Sequence, residues 1–241
     1  MISETTARPR RGAYGVDAPY LIVLPVVFIV FNLVQGFLSG KPWPFIGAAL
    51  IGVFSGFGLH ASLRGKFVVW ARLLDGLKLR GDERVLDVGC GRGAVLLMTA
   101  RRLTSGHAFG LDLWRRQDQL GNAAGVTARN AAAEGVADRV SLLTADMTAM
   151  PIASGTFDLI VSSLAIHNVP GADARDRAIA EIVRLVKPGG RVVLADMRHI
   201  ARYRDRLTAL GMTDVTLTGL GWQVWWSGPW AATRVVTARR P

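Results

Sequence analysis

The residues of this chain best placed to do chemistry are three aspartates and a histidine, each expected at or just past the carboxyl end of a strand. Asp87 lies in VLDVGCGRG (85–93), two residues before Gly89, which with Gly91 and Gly93 makes a glycine loop that runs into a helix. Glycine carries no Cβ, so such a loop lets backbone amides close on a ligand. Asp112 closes the strand of FGLDL, Asp146 follows the strand of LLTADMTAMP, and His167 lies just past the strand of FDLIVSSLAIHNV. Open parallel sheets bind ligands outside the carboxyl ends of their strands, which puts the three carboxylates on one rim. An unperturbed imidazole on that rim takes a proton near neutrality. Taken singly, each Asp is as readily the cap of the following helix or turn. Three at successive strand ends beside a glycine loop are not explained that way.

The elements that must position these groups alternate. Strand patterns are expected at 84–88, 107–111, 140–144, 157–162, 191–195, 215–220 and 233–238, with helices at 67–79, 94–103, 123–134, 174–185 and 200–210. This order predicts an α/β fold: a doubly wound, mostly parallel seven-stranded sheet with right-handed crossovers and helices on both faces. No helix separates the last two strands, so they should pair antiparallel. No internal repeat is present.

Composition adds a second part. Of 241 residues half are hydrophobic, and the formal net charge is +11; mean hydropathy is +0.29. General disorder is excluded, because the apolar content supports a core. The excess apolarity sits near the N-terminus, where no charged residue occurs between Asp17 and Lys41 or between Lys41 and Arg64. A helix needs about 20 apolar residues to cross the hydrocarbon core. Residues 20–38 and 43–63 are therefore expected to be two transmembrane helices, in an N-terminal segment 1–65 that precedes a folded domain 66–241. Gly52 and Gly56 stand at GxxxG spacing, and Tyr20 and Trp43 at the expected interfaces. Arg8, Arg10 and Arg11 precede the first span, Arg64 and Lys66 follow the second, and the loop holds only Lys41, so both termini should face the cytoplasm. The single cysteine, Cys90, excludes an intramolecular disulfide and a CxxC zinc site, and no metal is expected. Basic residues are scattered rather than clustered in a tail, so the expected partner of the charge is the anionic leaflet and not nucleic acid.

GCGRGA also satisfies a loose dinucleotide pattern with Ala94 last. Asp87, however, stands where nicotinamide enzymes carry a small apolar residue, and the helix end, turn and strand of LVKPGGRVVLADM (185–197) have no role in dinucleotide binding. Over about residues 67–241 the glycine loop, FGLDL, LLTADMTAMP and the FDLIVSSLAIHNV segment with its KPGG turn resemble, in order, the class I S-adenosylmethionine-dependent methyltransferases. The resemblance implies S-adenosylmethionine as cofactor. It also implies that Asp112 accepts hydrogen bonds from the two ribose hydroxyls, that Asp146 accepts from the adenine amino group and that Met147 lines the adenine pocket. Asp87, Gly89, Cys90, Gly91, Gly93, Leu113 and Ser162 complete the implied cofactor contacts. The stretch 113–122 is longer than the family's usual connection; Trp114 there either covers the adenine or packs, and Asp118 and Asn122 either touch the cofactor or shape the loop.

In related small-molecule methyltransferases the segment after strand four faces substrate, and a His there sometimes acts as base. His167 is thus the catalytic candidate, against the alternative that it packs or bonds backbone; Asn168 and Ser163 are weaker substrate contacts. No Asn/Asp-Pro-Pro-Tyr/Phe tetrapeptide follows strand four, which disfavours amino-group methylation of nucleic-acid bases or glutamine. The GWQVWWSGPW segment (221–230) holds four of the seven Trp residues. It is either an aromatic wall or membrane contact, or an edge hairpin packed on the sheet, the latter expected for Trp222. His60, His199 and Tyr203 receive no role. The expected whole is a membrane-anchored methyltransferase acting on a small, hydrophobic acceptor at the cytoplasmic face. The alternatives are a non-catalytic S-adenosylmethionine-binding membrane regulator and an NAD-type oxidoreductase.

Overall fold

The computed structural model describes residues 12–17, 20–115 and 121–241, with the side chains of 20–22 left aside. The expectations for Arg8, Arg10, Arg11, Asp118 and the Tyr20 side chain lie outside the described residues.

Two apolar helices, α1 (Tyr20–Ser39) and α2 (Trp43–His60), form a hairpin that reverses at Gly40. The rings of Phe37 and Phe45 meet edge to face at 5.3 Å across it. Outward-facing Phe28, Phe31, Trp43 and Val53 are each more than half exposed. α2 does not stop at residue 63: it passes through a π turn (Ala61–Gly65) into α3 (Lys66–Gly76), giving one continuous helix of 34 residues. The helix expected at 67–79 is the end of this rod and closes earlier, where Leu77 and Lys78 bond back to Leu74 and Asp75 and Lys78 turns to positive φ. Among the described residues, Trp43–Gly76 is the one helix long and apolar enough to cross a membrane, and Val23–Ser39 is a shorter apolar helix.

The sheet holds β1 (Arg84–Val88), β2 (His107–Asp112), β3 (Val140–Thr144), β4 (Phe157–Ser163), β5 (Val186–Asp196), β6 (Thr213–Gly219) and β7 (Arg234–Arg239), in the order β3-β2-β1-β4-β5-β7-β6. The first five pair parallel, linked through α4 (Ala94–Ala100), α5 (Ala124–Ala133) and α6 (Ala172–Leu185), while β7 runs antiparallel between β5 and β6. α7 (Ile200–Ala209) joins β5 to β6. Residues 220–233 form no crossover helix, only two short turns (Trp222–Val224 and Pro229–Ala231), and the chain returns antiparallel as β7. Alternation of side chains supplies both faces of the core. Val85 packs with Trp70, Leu74 and Leu97 on one side of β1, and Leu86 and Val88 pack with Ile160, Ile182 and Leu194 on the other.

The boundaries differ from expectation in two informative places. α4 ends at Ala100 rather than 103, because Arg102 and Leu103 bond to carbonyls three residues back, tightening the last turn. The KPGG segment lies inside β5, which starts at Val186, where the β4–β5 register shifts between Phe157 and Leu159.

Candidate active site

β1 and β2 end side by side, and their ends are tied by backbone. The amides of Gly89 and Cys90 both donate to the Leu111 carbonyl, at 2.7 and 3.1 Å. Gly89 has φ 75°, and a Cβ there would lie 2.2 Å from that of Ala165, so the crossing of this loop by the chain after β4 requires glycine. Gly91 donates its amide to Asp112 Oδ2 at 2.8 Å, and its carbonyl accepts from Thr127 Oγ1 at 2.7 Å. The loop is thereby fixed open against a cavity of about 720 Å³.

Asp87, Gly89, Cys90, Gly91, Asp112, Leu113, Asp146, Met147 and His167 all line this cavity. Gly93 and Ser162 do not. Gly93 instead turns the loop into α4 at φ 85°, where a side chain would meet Thr127. Ser162 points under the sheet and donates to the Val88 carbonyl at 2.7 Å, while its neighbour Ser163 faces the cavity and accepts from Trp70 Nε1 at 2.9 Å.

Two buried oxygens on this rim lack a donor among the described residues: Asp87 Oδ1 and Asn122 Oδ1. A buried acceptor left without a partner is costly, so a ligand with donor groups fits here. Burial pushes the Asp87 carboxyl up to about 8, with the charge of Asp112 adding to the shift. Asp112 is held by three donors: Gly91 N, Trp114 N at 2.6 Å and Asn122 Nδ2 at 3.3 Å. Asp146 Oδ1 accepts from Thr148 N and Thr148 Oγ1, both at 2.8 Å, and these bonds hold its carboxyl below the usual range. Desolvation raises the Cys90 thiol well above its ordinary value, so it is not a thiolate nucleophile.

Trp114 resolves as a packing residue. It is absent from the lining, stands at φ 58°, and bonds its indole nitrogen to Thr144 Oγ1 at 2.7 Å. Asn122, by contrast, reaches the rim.

Opposite the glycine loop, His167 Nδ1 lies 2.6 Å from Asp196 Oδ1, and its backbone amide donates to Asp196 Oδ2 at 3.2 Å. Asp196, at the end of β5, is buried and also accepts from Met197 N at 2.7 Å and Tyr203 Oη at 3.4 Å. A carboxylate on Nδ1 fixes the ring so that Nε2 is the acceptor. Asp196 had no expected role, and only its place in the quoted LVKPGGRVVLADM segment, at the end of a strand, marked it. Asn168 lines the cavity; Tyr203 and His199 do not.

The remaining wall comes from outside the sheet. Asp17, Lys66, Phe67 and Trp70 line the cavity from the N-terminal segment and α3, and Trp226, Ser227 and Ala231 from the connection before β7. Lys66 Nζ is paired with Asp17 at 2.6 Å, and Ser62 Oγ donates to the same carboxylate at 3.1 Å. The Trp-rich connection packs on the apolar helix instead of on the sheet: Trp222 stacks on His60 at 4.8 Å, Trp225 meets Phe57 and Trp230 meets Phe54. The contact is backbone to backbone at Gly65, where a Cβ would lie 1.6 Å from the Gln223 carbonyl oxygen. Trp222, expected on the sheet, therefore belongs to the helix contact.

Residues 86–194 match the family model described as Methyltransferase domain. The ubiquinone/menaquinone biosynthesis C-methyltransferase UbiE of Roseobacter denitrificans is 30% identical over 128 residues, 53% of this chain and 48% of that one. The sterol 4-C-methyltransferase strm-1 of Caenorhabditis elegans is 28% identical over 147 residues, 60% of this chain and 39% of that one. The match thus spans about half or less of the length of these curated relatives. A solved geranyl diphosphate methyltransferase in complex with S-adenosylmethionine superposes with a TM-score of 0.57 at 17% identity, covering 73% of this chain and 85% of that one. This likeness is one of fold.

Proposed function

We propose that this chain is a membrane-anchored enzyme that methylates a small, hydrophobic acceptor at the cytoplasmic face; the match of residues 86–194 to the methyltransferase domain model and the likeness of fold support the methyltransferase part of this reading. S-adenosylmethionine is the cofactor, and the rim fits it. The unpartnered oxygens of Asp87 and Asn122 offer acceptors to its ammonium and hydroxyl donors. Asp112 is the ribose residue, Asp146 and Met147 flank the adenine, and the glycine loop supplies backbone contact. When bound, this group supplies an electrophilic methyl on a sulfonium.

What the chain's own residues contribute is orientation, water exclusion and proton handling. His167 takes the proton of the acceptor's nucleophile on Nε2, and Asp196 holds the ring and stabilises the imidazolium that forms. Phe67, Trp70 and Trp226 keep that side of the cavity apolar. Most of the rate enhancement then comes from positioning.

The observation that carries the acceptor class is the continuous helix Trp43–Gly76. It begins in the exposed apolar hairpin and ends as a wall of the cavity through Lys66, Phe67 and Trp70. Contiguous apolar surface of this extent is uncommon on soluble monomers and suits lipid. The names of the two relatives, a quinone-biosynthesis enzyme and a sterol enzyme, support the same class. The test is transfer of labelled methyl by the purified chain into a lipid extract and into an aqueous metabolite extract. Label in the lipid fraction is expected; label confined to the aqueous pool contradicts the acceptor class, and cofactor binding with no transfer into either contradicts the enzyme reading.

Asp87 gives the cofactor site a pH dependence. With a pKa of about 8 the carboxyl is protonated at pH 7 in the free protein, and pairing with an ammonium group requires it to ionise. Affinity for S-adenosylhomocysteine should therefore rise with pH, by up to about tenfold per unit, and level off above about 8. The free folded domain holds this proton where the unfolded chain has lost it, so it loses stability as pH rises from the ordinary carboxylate range to about 8. Calorimetric titrations from about pH 6 to 9 check the first effect: Asp87→Asn should bind weakly with a flat profile, and a flat wild-type profile is the contrary result.

A further inference from the structure

The connection between β6 and β7 walls the cavity on one side and is bare on the other. Trp226, Ser227 and Ala231 face the cavity, while Trp222 is 52% and Trp230 70% exposed. No charged residue occurs between Asp214 and Arg234. A segment in contact with acyl chains has to bond its own backbone. Much of this one does: Val224 N donates to the Gly221 carbonyl, Trp226 N to that of Ala231 and Ala231 N to that of Gly228. The Trp226 indole donates to Thr233 Oγ1 at 2.9 Å.

The place of the connection on the hairpin says which surface covers it. Asp17, just ahead of α1, pairs with Lys66, so charge begins at one level on both arms. Exposed Arg64 stands two residues before Lys66. From this level to Lys41 in the turn neither arm carries a charge. The indoles pack inside that uncharged zone, Trp222 on His60, Trp225 on Phe57 and Trp230 on Phe54. At roughly 1.5 Å per residue these contacts lie about 6, 10 and 15 Å along the axis from Arg64. The bare face of the helix stays apolar over the same stretch, with Val53, Leu59 and Leu63 exposed. Headgroups occupy about 5–8 Å on each side of the hydrocarbon core. Arg64 among the headgroups therefore sets Trp222 at their inner boundary, where indoles are favoured, and Trp230 deeper.

We propose that this connection is a wedge by which the catalytic domain itself enters the bilayer, with Trp222 at the headgroup boundary and Trp230 among the upper acyl chains. The cavity wall at Trp226 then stands against lipid. The proposal rests on reading the α1–α2 hairpin as a membrane anchor and adds a second contact beside it.

The test is quenching of tryptophan emission by lipid bromine, with the full chain in phosphatidylcholine vesicles whose acyl chains are brominated near the headgroup or left plain. Trp222→Phe with Trp230→Phe keeps a ring at both helix contacts, and far-ultraviolet circular dichroism checks its fold. The difference from wild type isolates the emission of the two indoles, and the two single substitutions read it one ring at a time. Trp43→Phe does the same for the exposed hairpin. The emission of the Trp222 and Trp230 pair should lie to the blue of a water-exposed indole and lose most of its intensity to bromine. Water-like, unquenched emission overturns the wedge. So does blue-shifted emission that bromine leaves intact, which would mark a protein partner such as a second copy of this chain. Quenched Trp43 with an unquenched pair strikes the wedge alone, whereas unquenched Trp43 strikes the anchor on which it rests.

Discussion

Asp112→Ala should lower the affinity for S-adenosylhomocysteine by about 100-fold or more while the domain stays folded. The carboxylate sits at the end of β2, where one oxygen holds the Gly91 amide at 2.8 Å and the other holds Trp114 N at 2.6 Å. It thus does two jobs: it orders the glycine loop and offers charged acceptors to the ribose hydroxyls. Hydrogen bonds to charged groups are worth about 1.5–3 kcal/mol each, so losing two gives roughly 100-fold to 10,000-fold. The strand itself does not depend on the side chain, since β2 is secured by parallel ladders to β1 and β3. Gly91→Val attacks the same loop from its backbone, because φ there is 51° and a β-branched residue is strained in that region. Calorimetry with far-ultraviolet circular dichroism separates lost binding from lost fold. Unchanged affinity in both variants would remove the assignment of this rim.

The second large effect is expected at His167. His167→Ala should cut kcat by about 100-fold to 10,000-fold, the span of general acid–base catalysis, with S-adenosylhomocysteine affinity held within about twofold. Asp196→Asn should lower kcat with little change in KM, since an amide on Nδ1 no longer favours the imidazolium. Asp196 is buried and shared with Tyr203 and Met197, so His167→Gln serves as the variant that leaves the carboxylate in place. A kcat unchanged in His167→Ala and His167→Gln would make the pair structural.

The succession of strands and helices along the chain, the mixed end of the sheet and the rim of three aspartates were legible in the sequence because each follows from local pattern and a fixed rule of strand-end placement. What escaped was set by long-range contact. His167 and Asp196 meet only because β4 and β5 pair in a register that aligns their ends, with Ser163 opposite Ala195. Ser162 and Ser163 are exchanged by the two-residue period of a strand: one turns under the sheet to Val88 and the other faces the cavity. Trp70 and Trp226 come from a helix and a loop far apart in sequence, joined where Gly65 admits the backbone of Gln223. A periodicity argument sees the helix and the aromatic cluster but not their contact. Nor does composition foresee the π turn that carries α2 into α3 without a break.

Everything turns on whether the rim around Asp87, Asp112 and Asn122 takes up the cofactor. Isothermal titration of the full chain in detergent with S-adenosylmethionine, and separately with S-adenosylhomocysteine, measures this directly. One site per chain with saturable heat for both compounds is expected, weakened together by Asp112→Ala. A correctly folded chain that releases no binding heat with either compound would contradict the assignment of the rim and the methyl-transfer function built on it.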